Sequence, residues 1–220
     1  MVRAVVFDVG ACLVDETREY GTRADWLHVP RHTFAAMFGA VIAQGRDYRE
    51  TFHAFQPDFD LHAEREARAA AGQPEHFGEA DLYPDVRPVL AQLRAGGLWL
   101  GIAGNQTVPA GNILRELFTG DVDLIGTSDD WGPPKPDIAF FDRIAQVVPH
   151  DVEEILYIAD RVDNDLRPAV AAGMPTALVR RGPWATIQGN DQDAKELPTF
   201  PVDSLLELSP LIAEFNGTAH

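Results

Sequence analysis

The chain has 220 residues, which is enough for one domain that buries a full core together with a modest insertion. Its 34 acidic residues outnumber its 18 lysines and arginines and give a net charge of −16 at pH 7. A field of this sign repels polyanions, so we expect no nucleic-acid partner. A bound divalent cation reverses the local potential at a carboxylate site, so the acidity does not exclude an anionic ligand.

The chain contains one cysteine, Cys12, and therefore cannot form an intramolecular disulfide. This suits a reducing compartment. The apolar stretch in "MVRAVVFDVG" is too short for a signal peptide, and no segment approaches the roughly 18 apolar residues of a membrane span. We expect a cytoplasmic protein without a membrane partner.

Taken in chain order, five short apolar runs rich in β-branched residues predict buried strands. They are "RAVVFDV", "LWLGIAG", "VDLIGTS", "EILYIAD" and "PTALVRR". Segments with helical periodicity lie between them. Alternating strands and helices indicate an α/β protein, so we predict a Rossmann-like, three-layer α/β/α core with a parallel sheet.

The connection between the first two predicted strands is anomalous, because roughly 90 residues separate them where a single helix would suffice. Within it, residues 33–45, 46–55 and 60–72 have helical patterns. We therefore predict a core formed by residues 1–15 and 83–220, with a small helical cap at 16–82 inserted after the first strand. Such an insertion can act as a lid that excludes water and selects a ligand, or it can be a packing appendage.

Polar residues follow the predicted strands or lie in the loops beyond them. Ligands of open parallel sheets bind at the carboxyl ends of the strands, so these residues are expected to converge. Each of them alone has a plainer interpretation, as a helix cap or a solvated turn. Several carboxylates and one lysine at a single sheet edge nevertheless indicate a site. The residues are Asp8, Asn105, Lys135, Asp160 and Asp165.

Four motifs in this order resemble those of the haloacid dehalogenase (HAD) superfamily of hydrolases. They are "FDVGACLVDE", "IAGNQ", "GPPKPD" and "YIADRVDND", and they extend over nearly the whole chain. The resemblance implies a Rossmann-like core with a cap. It also implies a magnesium-dependent phosphatase whose partner is a small phosphorylated metabolite.

The resemblance further implies a role for each matching residue. Asp8 is expected to attack phosphorus and form an aspartyl-phosphate, which divides one difficult displacement into two easier steps. Lys135 is expected to neutralise the phosphoryl oxygens, with Gly104 and Asn105 beside it in the phosphate-binding set.

Magnesium is the cofactor that the resemblance implies. Asp8, the backbone carbonyl of Gly10, and Asp160 are expected to hold Mg2+, with Asp165 binding it directly or through water. A few oxygen ligands suit this ion, because it keeps several of its own waters and bridges to phosphate.

The first two motifs depart from the family pattern. Gly10 stands where the family's phosphatases commonly have a second aspartate, and Gly104 stands where a serine or threonine is usual. Ala11 and Cys12 replace the usual glycine and threonine. Loss of the second aspartate removes a general acid and base, which typically contributes about 10²- to 10⁴-fold to the rate. The metal ligand is retained, because position 10 supplies a backbone carbonyl.

Glu16 and then His32 are the candidates for a substitute acid or base, although such residues are more commonly solvated. Two alternative functions follow from the same departures. A dehalogenase-like hydrolase needs no leaving-group acid, and a catalytically impaired HAD-fold protein could bind a ligand without turnover.

Overall fold

The computed structural model describes residues 1–218 and contains a six-stranded parallel sheet with helices around it. Every paired strand is parallel to its neighbours, in the order β3-β2-β1-β4-β5-β6. The predicted Rossmann-like α/β core is therefore confirmed. The strands are β1 Ala4–Phe7, β2 Trp99–Gly104, β3 Leu124–Thr127, β4 Ile155–Ala159, β5 Thr176–Val179 and β6 Phe200–Val202.

The central strand β1 pairs with β2 on one side and with β4 on the other, so that Phe7 lies opposite both Ile102 and Ile158. The chain builds the sheet outward through β2 and β3 and then returns to the other side of β1. This reversal of strand order opens a crevice at the carboxyl ends of β1 and β4, where open α/β sheets bind their ligands.

Strand β6 was not among the predicted strands. It has three residues, lies at the edge of the sheet beside β5, and contains Pro201. Proline cannot donate a ladder hydrogen bond and is tolerated on edge strands, so the sequence pattern around it indicates a loop.

The chain divides into two compact units, with boundaries after Asp15 and after Asp81. The first unit comprises Met1–Asp15 together with the chain from Leu82 onward, and it contains the whole sheet. The second unit is Glu16–Asp81. Its function as a lid stays a prediction.

The second unit is helical, with helices α1 Thr17–Trp26, α2 Arg31–Ile42, α3 Glu50–His53 and α4 Leu61–Ala70. Its interior is aromatic: the Phe34 and Phe52 rings lie 5.4 Å apart, and Phe52 stacks on Phe59 at 4.4 Å. Arg68 is buried among these helices and donates to Glu19 at 2.7 Å. Helix α1 had no sequence signal of its own because few of its residues are apolar.

The helices of the first unit present an apolar face to its core. Helix α8, for example, buries Phe140, Phe141 and Ile144, and Asp137 caps its N-terminus by accepting from the Ala139 N–H at 2.9 Å. Within residues 1–218, no helix is both long enough and apolar enough to cross a membrane. The helices are α5 Val86–Ala95, α6 Val108–Leu117, α7 Ser128–Trp131, α8 Ile138–Val147, α9 Arg167–Ala171, α10 Gly182–Gln188, α11 Gln192–Glu196 and α12 Leu208–Thr218.

Candidate active site

Two aspartates stand at the ends of the adjacent strands β1 and β4. Asp8 directly follows β1, and its backbone N–H donates to the Ile158 carbonyl at 2.8 Å, which extends the ladder by one residue. Asp160 directly follows β4. The parallel register of the two strands therefore brings both carboxylates to the crevice at the sheet edge.

A third carboxylate completes the group. Asp165 lies in the π-helical turn Val162–Leu166 that follows β4, and one oxygen of each of Asp8, Asp160 and Asp165 lies within 4.8 Å of the others. All three residues are buried, with exposed fractions of 7%, 1% and 0%. Burial raises the pKa of Asp165 to about 6, and the charge of Lys135 opposes this effect.

Lys135 is the cation that faces these carboxylates. Its Nζ lies 2.7 Å from Asp8 Oδ1 and 2.5 Å from Asp165 Oδ1, and the residue is only 4% exposed. Burial by itself lowers the pKa of this amine, but the charges of Asp165 and Asp8 outweigh burial and raise the pKa. Lys135 is therefore protonated at neutral pH.

Asn105 fixes the backbone of Lys135. Its side-chain Nδ2 donates to the Lys135 carbonyl at 2.9 Å, and its Oδ1 accepts from the Lys135 N–H at 2.7 Å. The motif after β2 thus holds the loop that carries the lysine. The predicted contact of Asn105 with phosphate stays a prediction.

Tyr157 was missed at the sequence level. Its hydroxyl lies 3.2 Å from Lys135 Nζ and donates to the Ala103 carbonyl at 3.0 Å, so it helps to hold the lysine from inside the sheet. Burial raises the pKa of this phenol well above its usual value, so it stays a neutral hydroxyl. Within an apolar run, tyrosine is typical of any buried strand. Only the contact of its hydroxyl with Lys135 distinguishes Tyr157, and this contact is visible only in the structure.

The loop after Asp8 makes a tight turn. The Gly10 carbonyl accepts from the Cys12 N–H at 2.6 Å, and Ala11 between them has a φ of +48°. A carbonyl oxygen has two lone pairs, so this bond leaves Gly10 one further acceptor site.

Cys12 is fully buried, and its thiol donates to the Ile158 carbonyl at 3.5 Å. Burial raises the pKa of the thiol well above its usual value. A thiol in this state is a poor nucleophile, so we assign Cys12 the role of a small, buried apolar residue.

Gly104 ends strand β2 directly beside the nucleophile candidate. A Cβ at this position would lie 2.7 Å from Asp8 Oδ1, the oxygen that also contacts Lys135. The absence of a side chain at residue 104 therefore allows Asp8 to adopt the position in which it meets the lysine.

Glu16 and His32 both belong to the second unit. Glu16 immediately precedes α1, and His32 is an exposed residue near the start of α2. Their proposed roles as substitute acid or base stay predictions.

The donor set suits a hard divalent cation. Three buried carboxylates face one lysine, so the group carries excess negative charge when all three are ionised. Carboxylate oxygens are the ligands that Mg2+ and similar ions prefer, and buried charges of this kind need a compensating partner.

Comparisons with known proteins agree with this fold. A family model described as HAD-hydrolase-like matches residues 133–208. Glyceraldehyde 3-phosphate phosphatase from Methanopyrus kandleri is 28% identical, over 97% of this chain and 98% of the relative. The phosphatase of the same name from Methanocaldococcus jannaschii is 30% identical, over 59% of this chain and 56% of the relative.

Two solved structures illustrate the shared fold. The putative HAD-hydrolase YfnB from Bacillus subtilis, bound to magnesium, superposes with a TM-score of 0.70 at 18% identity, over 96% of this chain and 98% of that one. L-2-haloacid dehalogenase from Xanthobacter autotrophicus superposes with a TM-score of 0.62 at 20% identity, over 97% and 99% of the two chains.

The raised pKa of Asp165 predicts a pH dependence of stability. Because its pKa of about 6 lies above the ordinary value of 3.8, folding opposes its ionisation, and stability falls as the pH rises through this window. Without divalent cations, we expect the stability of Asp165→Asn to lack this decline between about pH 4 and about pH 6, because the asparagine amide does not ionise. Urea unfolding in a chelator, measured across this range, provides the test.

Asp163→Asn is the matched control. Burial by itself raises the pKa of Asp163, but Arg161 outweighs burial and lowers the pKa, so Asp163 stabilises the protein above its ordinary pKa. Its loss should therefore destabilise the protein near neutral pH. Identical pH profiles for wild type and Asp165→Asn would contradict the prediction.

Proposed function

We propose that this chain, which belongs to the HAD superfamily, is a phosphatase that releases inorganic phosphate from a small phosphorylated metabolite through an aspartyl-phosphate at Asp8. The observation that carries the proposal is the position of Asp8, which directly follows the central strand β1. Its Oδ1 atom lies 2.7 Å from Lys135 Nζ, and the carboxylates of Asp160 and Asp165 lie beside it. The phosphatase names of the relatives support the same reaction class.

Asp8 and Lys135 perform complementary tasks. A carboxylate oxygen of Asp8 forms the bond to phosphorus while the bond from phosphorus to the leaving oxygen breaks. Water then attacks the aspartyl-phosphate and releases phosphate and the free carboxylate. The protonated amine of Lys135 keeps Asp8 ionised and brings positive charge to the incoming phosphoryl group, and such charge stabilisation is central to phosphoryl transfer.

Mg2+ is the proposed cofactor, held by the carboxylates of Asp8, Asp160 and Asp165 and by the Gly10 carbonyl. When bound, this ion neutralises charge on the phosphoryl group and orients it for attack. The support is the buried, carboxylate-rich donor set and its excess negative charge.

Gly10 restricts the leaving groups that the enzyme can release. No carboxylate at residue 10 is available to protonate the departing oxygen. A leaving group that is stable as an anion, such as a carboxylate or a nitrophenolate, departs without this help, whereas an alkoxide does not. The favoured substrates are therefore acyl phosphates and other phosphates with acidic leaving groups, unless Glu16 or His32 supplies the acid.

The metal-binding set favours phosphatase chemistry over the dehalogenase-like alternative, because displacement of halide from carbon has no evident use for three clustered carboxylates. The other alternative, a catalytically impaired protein that binds a ligand without turnover, differs in one observable respect. It requires that Asp8 never be phosphorylated.

A covalent adduct tests the nucleophile. With Mg2+ and acetyl phosphate, we expect intact mass spectrometry to detect wild-type protein carrying one phosphoryl group and Asp8→Asn carrying none, because an amide cannot replace the carboxylate as nucleophile. Phosphate release should be lost in the same variant.

Absence of both the adduct and turnover across a panel of phosphate esters would favour the binding protein. Release of chloride from 2-chloropropionate, without phosphatase activity, would favour the dehalogenase.

The leaving-group argument has its own test. In single-turnover experiments, we expect nitrophenyl phosphate to react faster than a matched alkyl phosphate. The ratio of the two rates should include the contribution that a general acid would make to the alkyl ester, about 10²- to 10⁴-fold. Gly10→Asp should narrow this ratio by accelerating the alkyl ester, and Gly10→Asn, which has the same shape without the acid, should not. Equal wild-type rates for the two esters would contradict the argument.

Gly104→Ser tests the space beside Asp8. The introduced Cβ would lie 2.7 Å from Asp8 Oδ1 and displace the carboxylate from Lys135. We expect a rate loss of up to about 100-fold, because a displacement on the order of 1 Å can cost that much. Gly104→Ala, which adds the Cβ without the hydroxyl, is the control and should lose a similar amount. A faster Gly104→Ser enzyme would show that a hydroxyl here is tolerated and useful.

A further inference from the structure

We propose that Arg181 is a positioning residue that holds the loop after the nucleophile in its working conformation. Arg181 follows strand β5 and lies about 170 residues along the chain from this loop. Its guanidinium donates from Nε to the Ala11 carbonyl at 3.3 Å and from Nη2 to the Cys12 carbonyl. No role for this residue follows from the four motifs.

Asp85 holds the guanidinium in place. Arg181 Nη1 lies 2.8 and 3.0 Å from the two Asp85 oxygens, and the two side chains are only 13% and 11% exposed. Asp85 also accepts from Ser204 Oγ and the Leu205 N–H, both at 2.9 Å. With its carboxylate anchored by the segment that contains Ser204 and Leu205, Asp85 provides a rigid support for the arginine.

Tyr83 provides a flat support for the same group. Arg181 Cζ lies 3.9 Å from the centre of the Tyr83 ring, and the Tyr83 N–H donates to the Leu13 carbonyl at 3.1 Å. A planar guanidinium can rest on an aromatic ring while its N–H groups reach several acceptors, whereas the ammonium of lysine is a point charge. The site therefore requires arginine rather than any cation.

The loop needs this support because its backbone is strained. Ala11 has a φ of +48°, a region that residues with a Cβ rarely adopt, and it persists only where surrounding structure holds it. The segment after Arg181 packs on the same residue: a Cβ at Gly182 would lie 2.5 Å from the Ala11 Cβ and 3.5 Å from Asp160 Oδ2. Arg181 and Gly182 together thus fasten the turn that presents the Gly10 carbonyl.

The inference rests on the proposed function for one of its readouts, the binding of Mg2+ through Gly10. The other readout is independent of metal and activity. Cys12 is the only cysteine of the chain, is fully buried, and belongs to the loop that Arg181 holds. Its rate of reaction with a thiol reagent therefore reports how often the loop opens.

The experiment compares Arg181→Met with Arg180→Met. Arg180 is the adjacent residue and makes a bidentate pair with Asp203 at 2.7 and 2.8 Å, but this pair is largely exposed. We expect Arg181→Met to weaken Mg2+ binding about 10- to 100-fold by calorimetry, the usual effect of losing a residue that orients metal ligands. Cys12 labelling by dithionitrobenzoate should accelerate several-fold. Arg180→Met should match wild type in both.

Urea separates a local from a global effect. Labelling through a local opening should be nearly independent of low urea concentrations, whereas labelling through global unfolding rises steeply with urea. A steep urea dependence in Arg181→Met, with wild-type Mg2+ affinity, would reduce Arg181 to a stabilising residue and overturn the inference.

Arg181→Lys keeps the inference testable if the methionine variant does not fold. Lysine retains the positive charge but lacks the planar guanidinium with its several N–H donors. Mg2+ affinity and the rate of Cys12 labelling should therefore change in the same directions as in Arg181→Met, by smaller factors. Wild-type values for a folded Arg181→Lys protein would contradict the inference. Failure of the wild type itself to bind Mg2+ would instead overturn the proposed function, and the rate of Cys12 labelling would then decide this inference by itself.

Discussion

The contact of one buried lysine with two of three buried carboxylates is the constraint on which the site depends. Lys135 Nζ reaches Asp8 and Asp165, and Asp160 completes the group. Buried charges are tolerated only when they are paired, so the position of the lysine must be defined as closely as that of the nucleophile. Asn105 meets this need by bonding both backbone polar groups of Lys135, and Tyr157 meets it by bonding the amine.

The departures from the family pattern acquire a common physical meaning in this setting. At residue 10 the chain retains the backbone carbonyl and omits the side chain, so it offers an oxygen atom but no group that could transfer a proton. At residue 104 the missing side chain leaves the space that Asp8 Oδ1 occupies. Neither glycine provides a side chain for proton transfer or hydrogen bonding beside Asp8, but the three carboxylates and the lysine are all present. We therefore propose a phosphatase with a restricted range of leaving groups rather than an inactive scaffold.

A second cation, which is partly buried, contacts the backbone near the site. Arg181 binds the carbonyls of residues 11 and 12 while resting on Tyr83 and pairing with Asp85. Lys135 contacts the carboxylate of Asp8, and Arg181 contacts the loop that follows it. The strained φ of Ala11 explains why such a loop needs an external support, because its own hydrogen bonds span only a few residues.

The sequence by itself determined the class of fold and predicted the carboxylates and the lysine that the structure brings together. Short apolar runs rich in β-branched residues identified β1 to β5, since burial on both faces of a parallel sheet demands continuous apolar residues. The rule that parallel strands present their carboxyl ends at one edge then grouped Asp8, Asp160 and Lys135. Strand β6 and helix α1 were not identified, because a short edge strand with Pro201 and a polar helix lack the apolar periodicity on which such predictions depend.

Only the tertiary structure decided which atoms meet. Three contacts join segments that are far apart in the chain. The Tyr157 hydroxyl lies beside Lys135, Gly104 packs directly against Asp8, and Arg181 donates to the carbonyls of residues 11 and 12. Such contacts depend on strand register and on the direction of each side chain, and neither of these produces a periodic pattern in the sequence. Local patterns determine which residues are buried and at which edge they emerge, whereas packing alone selects the partner of each polar group.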